Sequence, residues 1–178
     1  IRISEQDYNR CRTVVLNDLP NESAAFLLVG QKVIGSSREL IVRRMVEVPK
    51  SEYRIQNHYH LDISPKVING LISLCEQNGL GVILCHSHPT DSIYSPSDDH
   101  GEKRIAESIW KNIPNAAVGS LLISPGKVRA RIWTPSVGNM PVSSVNVIGR
   151  YIRNILFSER HHKTDNLGDI YDRQILAF

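Results

Sequence analysis

Apolar residues along the chain switch between helical spacing and short continuous runs, and the switches mark out its elements. Residues 4–17 carry Tyr8, Cys11 and Val15 on one side of a helical repeat, with Ser4 placed to cap it. Ala24-Ala25-Phe26-Leu27-Leu28-Val29 is an unbroken apolar run closed by Gly30, which predicts a buried strand. Val33-Ile34-Gly35 and residues 39–48 predict further strands, the second ended by Pro49. Leu61-Asp62-Ile63-Ser64-Pro65 then opens a helix, with Ser64 as cap and Pro65 at its first position. Val67, Ile68, Leu71 and Leu74 form its apolar stripe, and Gly79 stops it.

A buried strand over 81–84 runs directly into Cys85-His86-Ser87-His88-Pro89. A polar loop follows, then a helix predicted from about Ser97 or Asp98 to Trp110 and ended by Pro114. Residues 117–123 and 128–133 predict two strands joined at a Pro125-Gly126 turn, and 142–148 predicts one more. After Gly149 the character changes: 158–169 is charged and His-rich with little to bury, and reads as a linker. No internal repeat is present. Strands mixed with three helices predict one α/β (α+β) domain over residues 1–150, a mixed sheet flanked by helices, with 151–178 outside it.

Composition narrows the function classes. A chain of 178 residues suffices for one full hydrophobic core and is short for two. Its 41% apolar and 22% charged residues are ordinary for a soluble globular protein, and a net charge of +3 argues against a strongly basic nucleic-acid binder. Cys11, Cys75 and Cys85 are scattered and odd in number, with no CxxC, so neither a disulfide framework nor a thiolate metal site is expected. That usage fits a reducing, cytoplasmic setting. No run approaches the roughly 20 apolar residues a membrane helix needs, and no charged-then-apolar leader opens the chain. Asn21-Glu22-Ser23 matches a glycosylation sequon, read as chance without a secretory signal. The chain opens on Ile1 and so reads as a piece of something larger.

The chemistry concentrates in His86-Ser87-His88-Pro89 and Ser95-Pro96-Ser97-Asp98-Asp99. Residues two apart on a strand face the same way, so His86 and His88 can turn two imidazoles toward one cation while Cys85 and Ser87 turn away. Pro89 ends sheet pairing and leaves the pair at a strand tip. Asp98 can add a third ligand from the first turn of the next helix, where its charge also suits the helix dipole. Two histidines and one carboxylate leave a coordination position free for water, the arrangement of a catalytic zinc site. The plainer alternative is that Asp98, Ser97 or Asp99 only caps the helix. His58 and His60 form a second same-face pair, but no strand-end proline follows, so that pair reads as surface or partner-facing. His161-His162 lies in the linker, where metal binding would be adventitious.

These motifs resemble the metal-binding signature of the JAMM/MPN (JAB) metalloproteases, whose best-known members are deubiquitinases: HxHP, a short loop, then SxxD, with a glutamate well upstream of these, at the start of a buried strand. Pro20-Asn21-Glu22-Ser23-Ala24-Ala25-Phe26 looks like the upstream element, which puts Glu22 on the family's catalytic glutamate. The resemblance implies an MPN core, similar to that of cytidine deaminases, with a single Zn2+ on His86, His88 and Asp98. It further implies that Glu22 moves the proton of the attacking water and that Ser95 donates to the oxyanion. The implied substrate is a bond after the C-terminal tail of a ubiquitin-like protein, in a conjugate or a precursor. There is one departure. Only Thr90 to Tyr94 separate Pro89 from Ser95, one residue fewer than the family usually has. Counting from Pro89 would therefore make Asp99 the ligand, whereas the serine-to-ligand spacing favours Asp98.

The last residues, Asp169-Ile170-Tyr171-Asp172-Arg173-Gln174-Ile175, resemble the opening of ThiF-like, ubiquitin-activating adenylating enzymes. That implies a fused adenylating domain and conjugating enzymes as functional partners. Three other readings stand beside the main one. A non-catalytic MPN scaffold normally lacks a ligand, and every candidate is present here. A zinc deaminase needs H-x-E and P-C-x-x-C, and no CxxC exists. A hydrolase acting on the tail of a sulfur-carrier protein would use the same residues as the isopeptidase.

Overall fold

The computed structural model describes residues 1–35, 37–157 and 173–175. In chain order the elements are β1 (Arg2–Ser4), α1 (Glu5–Leu16), β2 (Ala24–Ile34), β3 (Ser37–Glu47), a short 3-10 turn (Lys50–Glu52), β4 (Tyr53–Gln56), β5 (Leu61–Ile63), α2 (Pro65–Asn78) and β6 (Gly81–Ser87). They continue with α3 (Pro96–Asn112), β7 (Val118–Ser124), β8 (Lys127–Thr134), β9 (Gly138–Pro141), β10 (Ser144–Ile148), β11 (Ile152–Leu156) and β12 (Arg173–Ile175). The fold is α/β, as expected. One ten-stranded mixed sheet runs β12-β11-β10-β1-β3-β2-β6-β7-β8-β9, and β4 with β5 forms a separate two-stranded hairpin. The sheet continues through β11, past residue 150. The linker residues 158–169, the His161-His162 pair and most of the adenylating-enzyme-like segment lie outside the described residues.

Alternation along the central strands divides the core in two. In β2 and β6 the odd positions Ala25, Leu27, Val29, Ile83 and Cys85 pack toward α1 with Tyr8, Cys11 and Val15. The even positions Ala24, Phe26, Leu28, Val82 and Leu84 pack toward α2 and α3 with Leu71, Cys75, Ala106 and Ile109. Central strands covered on both faces read as unbroken apolar runs, which is why 24–29 and 81–84 stood out in the sequence. Cys11, Cys75 and Cys85 are free thiols buried in these two layers. No helix is long and apolar enough to cross a membrane among the described residues.

Local signals set the helix ends. Ser4 and Ser64 cap α1 and α2 by accepting from Asp7 N and Lys66 N. Gly79 closes α2 in the left-handed region (φ 61°), where a side chain would be strained. Gly81, at the start of β6, lies against the Ala117 backbone so closely that a Cβ would overlap the Ala117 carbonyl oxygen. Such overpacking against main chain cannot relax by rotating a side chain. Gly81→Ala is therefore expected to destabilise the fold by about 1–3 kcal/mol. Urea unfolding would test this, and a midpoint equal to wild type would contradict the close approach.

Candidate metal centre

The antiparallel register of β2 and β6 sets the geometry of the site. Ala24 pairs with His86, so two residues further out Glu22 comes opposite His88. Ser87 N donates to Ser23 O, and Ser23 N donates to Ser87 Oγ, both at 3.0 Å, extending the pairing toward the tip. On the other side His88 N donates to Ile123 O at 3.2 Å. Both histidines are thus held by backbone on a nearly closed face, 3% and 8% exposed. They occupy the even face of β6, toward α3.

α3 brings the carboxylate. It begins at Pro96 with Ser95 as its cap, earlier than the Ser97 or Asp98 start expected. The Ser-Pro pair is the same cap-and-first-position signal that opens α2. Ser95 Oγ accepts from Asp98 N (3.1 Å) and donates to Asp98 Oδ2 (2.8 Å), and Ser95 N donates to the same oxygen (2.6 Å). This reciprocal capping box fixes the Asp98 side chain over the first turn. Capping and ligation, weighed as alternatives in the sequence, do not exclude each other, since the capping carboxylate also belongs to the group able to hold a metal ion. Asp99 turns elsewhere, to Arg131.

His86 Nε2 lies 3.4 Å from Asp98 Oδ1, and His88 Nε2 lies 3.2 Å from Asp98 Oδ2. One ligand atom from each of the three groups lies within 4.8 Å of the others; tetrahedral zinc with bonds of about 2.0–2.1 Å holds its ligand atoms about 3.3 Å apart, so a small inward movement would close the three on one ion. His86 supplies the sharper test: both its ring nitrogens are buried and lack a hydrogen-bond partner. A buried ring nitrogen with no hydrogen-bond partner is costly, and a metal ion is a partner that would satisfy it. Among the described residues, His86, His88 and Asp98 are the one group of three able to hold a metal ion.

Glu22 is 6% exposed and presents Oε1 at 3.6 Å from His88 Nε2. Its backbone is pinned by the β4–β5 hairpin, since Glu22 N donates to Asn57 O (2.9 Å) and Gln56 Nε2 donates to Glu22 O (3.0 Å). Burial pushes the Glu22 carboxyl above its ordinary range, against the opposing pull of His88 and His86. Burial disfavours the His88 cation too, but Asp98 and Glu22 outweigh it and raise that pKa. For Asp98, burial works upward, yet the two imidazoles hold it well below the usual carboxylate range.

A cleft of about 580 Å³ opens from Glu22, His86 and Asp98 and runs between Ile68 of α2 and Gly101 and Ile105 of α3. His60 lines it and sits 3.3 Å from Ser97 Oγ, while His58 packs on Tyr59. That pair does not converge on a metal.

A family model of prokaryotic homologues of the JAB domain matches residues 4–135. The chain belongs to this prokaryotic JAB family. No curated protein matches it. In a JAB domain the matched span holds every group of the centre, from Glu22 to Asp98. Sequence reasoning passed over Gln56, Asn57, Asp91 and Arg131. Asp91 Oδ1 approaches His88 Nδ1 to 3.6 Å, on the side away from Asp98. The only signal for it was an acidic residue two beyond HxHP.

Zinc at a hundredfold excess over its Kd should stabilise the JAB domain by about 2.7 kcal/mol, raising Tm by roughly 5–10 °C. His86→Ala should show no such rise in differential scanning fluorimetry. Equal shifts in both proteins would locate the ion elsewhere.

Proposed function

We propose that this JAB domain is a zinc-dependent peptidase or isopeptidase that cuts after the C-terminal tail of a ubiquitin-like protein. One observation carries the reading: a carboxylate outside the ligand set, Glu22, stands 3.6 Å from a ligand imidazole where the three-ligand group opens into a cleft. A scaffold that only binds partners has no need of a buried general base beside such a group. When bound, zinc would polarise the scissile carbonyl and make water acidic enough to attack at neutral pH.

The chain's own residues do the rest. His86, His88 and Asp98 hold the ion, with Asp98 oriented by Ser95. Glu22, its carboxyl pushed above the ordinary range by burial, takes the proton of the attacking water and delivers it to the leaving amine. Its pinned backbone keeps that carboxylate beside the metal ligands through both transfers. Ser95 exchanges its bond to Asp98 for one to the developing oxyanion. The cleft beside the three-ligand group, lined by residues of α2 and α3, is where an extended tail would lie.

The ubiquitin-like substrate class also draws support from the far end of the chain. Tyr171, Arg173 and Gln174 follow the pattern that opens ThiF-like adenylating enzymes. A protein that couples activation of a modifier with its release accounts for that pairing, with conjugating enzymes as further partners. By that resemblance Arg173 would serve the adenylating reaction, and it is given no role in this site.

Metal analysis and cleavage assays on ubiquitin-like fusions test the assignment together. Glu22→Ala should keep one zinc per chain and lose at least about 100-fold in cleavage rate. His88→Ala should lose both metal and cleavage. Cleavage by Glu22→Ala at the wild-type rate would end the proposed mechanism.

A further inference from the structure

α3 carries three carboxylates in its first two turns: Asp98, Asp99 and Glu102. At about 100° per residue, Asp99 is turned about 100° from Asp98 around the helix, and Glu102 about 40°. One side chain from the sheet grips the latter two. Arg131 of β8, 6% exposed, places Nη1 at 2.5 Å from Asp99 Oδ1 and Nε at 2.8 Å from Glu102 Oε2. The same Glu102 oxygen accepts from Trp133 Nε1 and from Ser120 Oγ, each at 2.8 Å. On its other side the guanidinium lies 3.7 Å from the ring centroid of Tyr94, the residue just before the cap Ser95. Arg131 thus touches the chain immediately before Ser95 and the two carboxylates that follow Asp98 on α3, and no contact joins it to the metal ligands.

We propose that Arg131 is the positioning residue of the metal centre: by holding Asp99 and Glu102 toward β8 it fixes the rotation of α3, and so turns Asp98 to His86 and His88. The inference rests on the ligand set assigned under the proposed function. Energetics favour a positioning role over plain stabilisation. A buried arginine–carboxylate pair gains little net stability, because desolvating both charges offsets their attraction. Here the pair is also left incomplete, since Glu102 Oε1 and Arg131 Nη2 are buried without partners. What the arrangement does supply is direction: a planar fork bonding two carboxylates one turn apart admits a single helix rotation. Lysine, with one point of charge, cannot replace it.

Arg131→Lys and Asp99→Asn are the variants that test this, each measured for apo-protein Tm and for zinc affinity by competition with a chelating dye. Arg131→Lys should weaken zinc binding 10- to 100-fold, the effect expected of groups that orient ligands. Asp99→Asn should weaken it several-fold. Asp99 is 54% exposed at its side chain, so that variant folds even if Arg131→Lys does not. Unchanged zinc affinity in a folded Asp99→Asn or Arg131→Lys, whatever happens to Tm, would overturn the proposal and leave the cluster a structural brace. Wild-type protein that binds no zinc, or binds it equally after His88→Ala, would instead remove the ligand assignment itself.

Discussion

The register between β2 and β6 is the constraint on which the rest of the site depends. Pairing Ala24 with His86 brings Glu22 opposite His88, and strand alternation puts both histidines on the face toward α3. A slip of one residue would send His86 and His88 into the apolar layer under α1, where Cys85 and Ile83 now pack. That layer enforces the register: Leu27, Val29, Ile83 and Cys85 on one face and Phe26, Leu28, Val82 and Leu84 on the other are all buried. Each such side chain is worth about 1.5–3 kcal/mol when removed from water, so the exchange of faces is prohibitive. The chemistry is held in place by the most apolar strands of the molecule.

Against that fixed pair of imidazoles, the third group is adjustable and needs its own restraints. Asp98 sits on α3, which crosses the sheet without sharing its hydrogen bonds. The capping box with Ser95 sets the side chain relative to the helix, and Arg131 ties the helix to β8. Glu22 is restrained in a third way, by the hairpin that holds its N–H and C=O. The site therefore joins a sheet core, a helix entry and a hairpin. The capping box acts on the Asp98 carboxylate itself, whereas the arginine and the hairpin act on helix orientation and backbone.

Much of this was legible from local pattern. Continuous apolar runs marked the central strands, Ser64-Pro65 and Gly79 marked α2, and HxHP with SxxD marked three residues that the fold brings together. The choice between Asp98 and Asp99 hinged on the distance from Pro89, and the fold favours the serine spacing because Ser95 and Asp98 form one capping unit. The α3 start was placed late by reading Ser97 and Asp98 as caps, although Ser95-Pro96 carries the stronger signal. The β4–β5 hairpin was missed because Tyr53-Arg54-Ile55-Gln56 and Leu61-Asp62-Ile63 alternate over only four and three residues, and the second run was absorbed into the start of α2. Arg131 with Glu102 was missed for a different reason: the partners lie 29 positions apart on a strand and a helix, and only the packing of α3 on β8 joins them.

Zinc-edge X-ray absorption on the purified, metal-loaded protein reads the coordination shell itself. Two imidazole nitrogens and carboxylate or water oxygens are expected at about 2.0–2.2 Å, with no sulfur. A sulfur shell near 2.3 Å, or a single imidazole, would contradict a centre built by the β6 histidines and the first turn of α3.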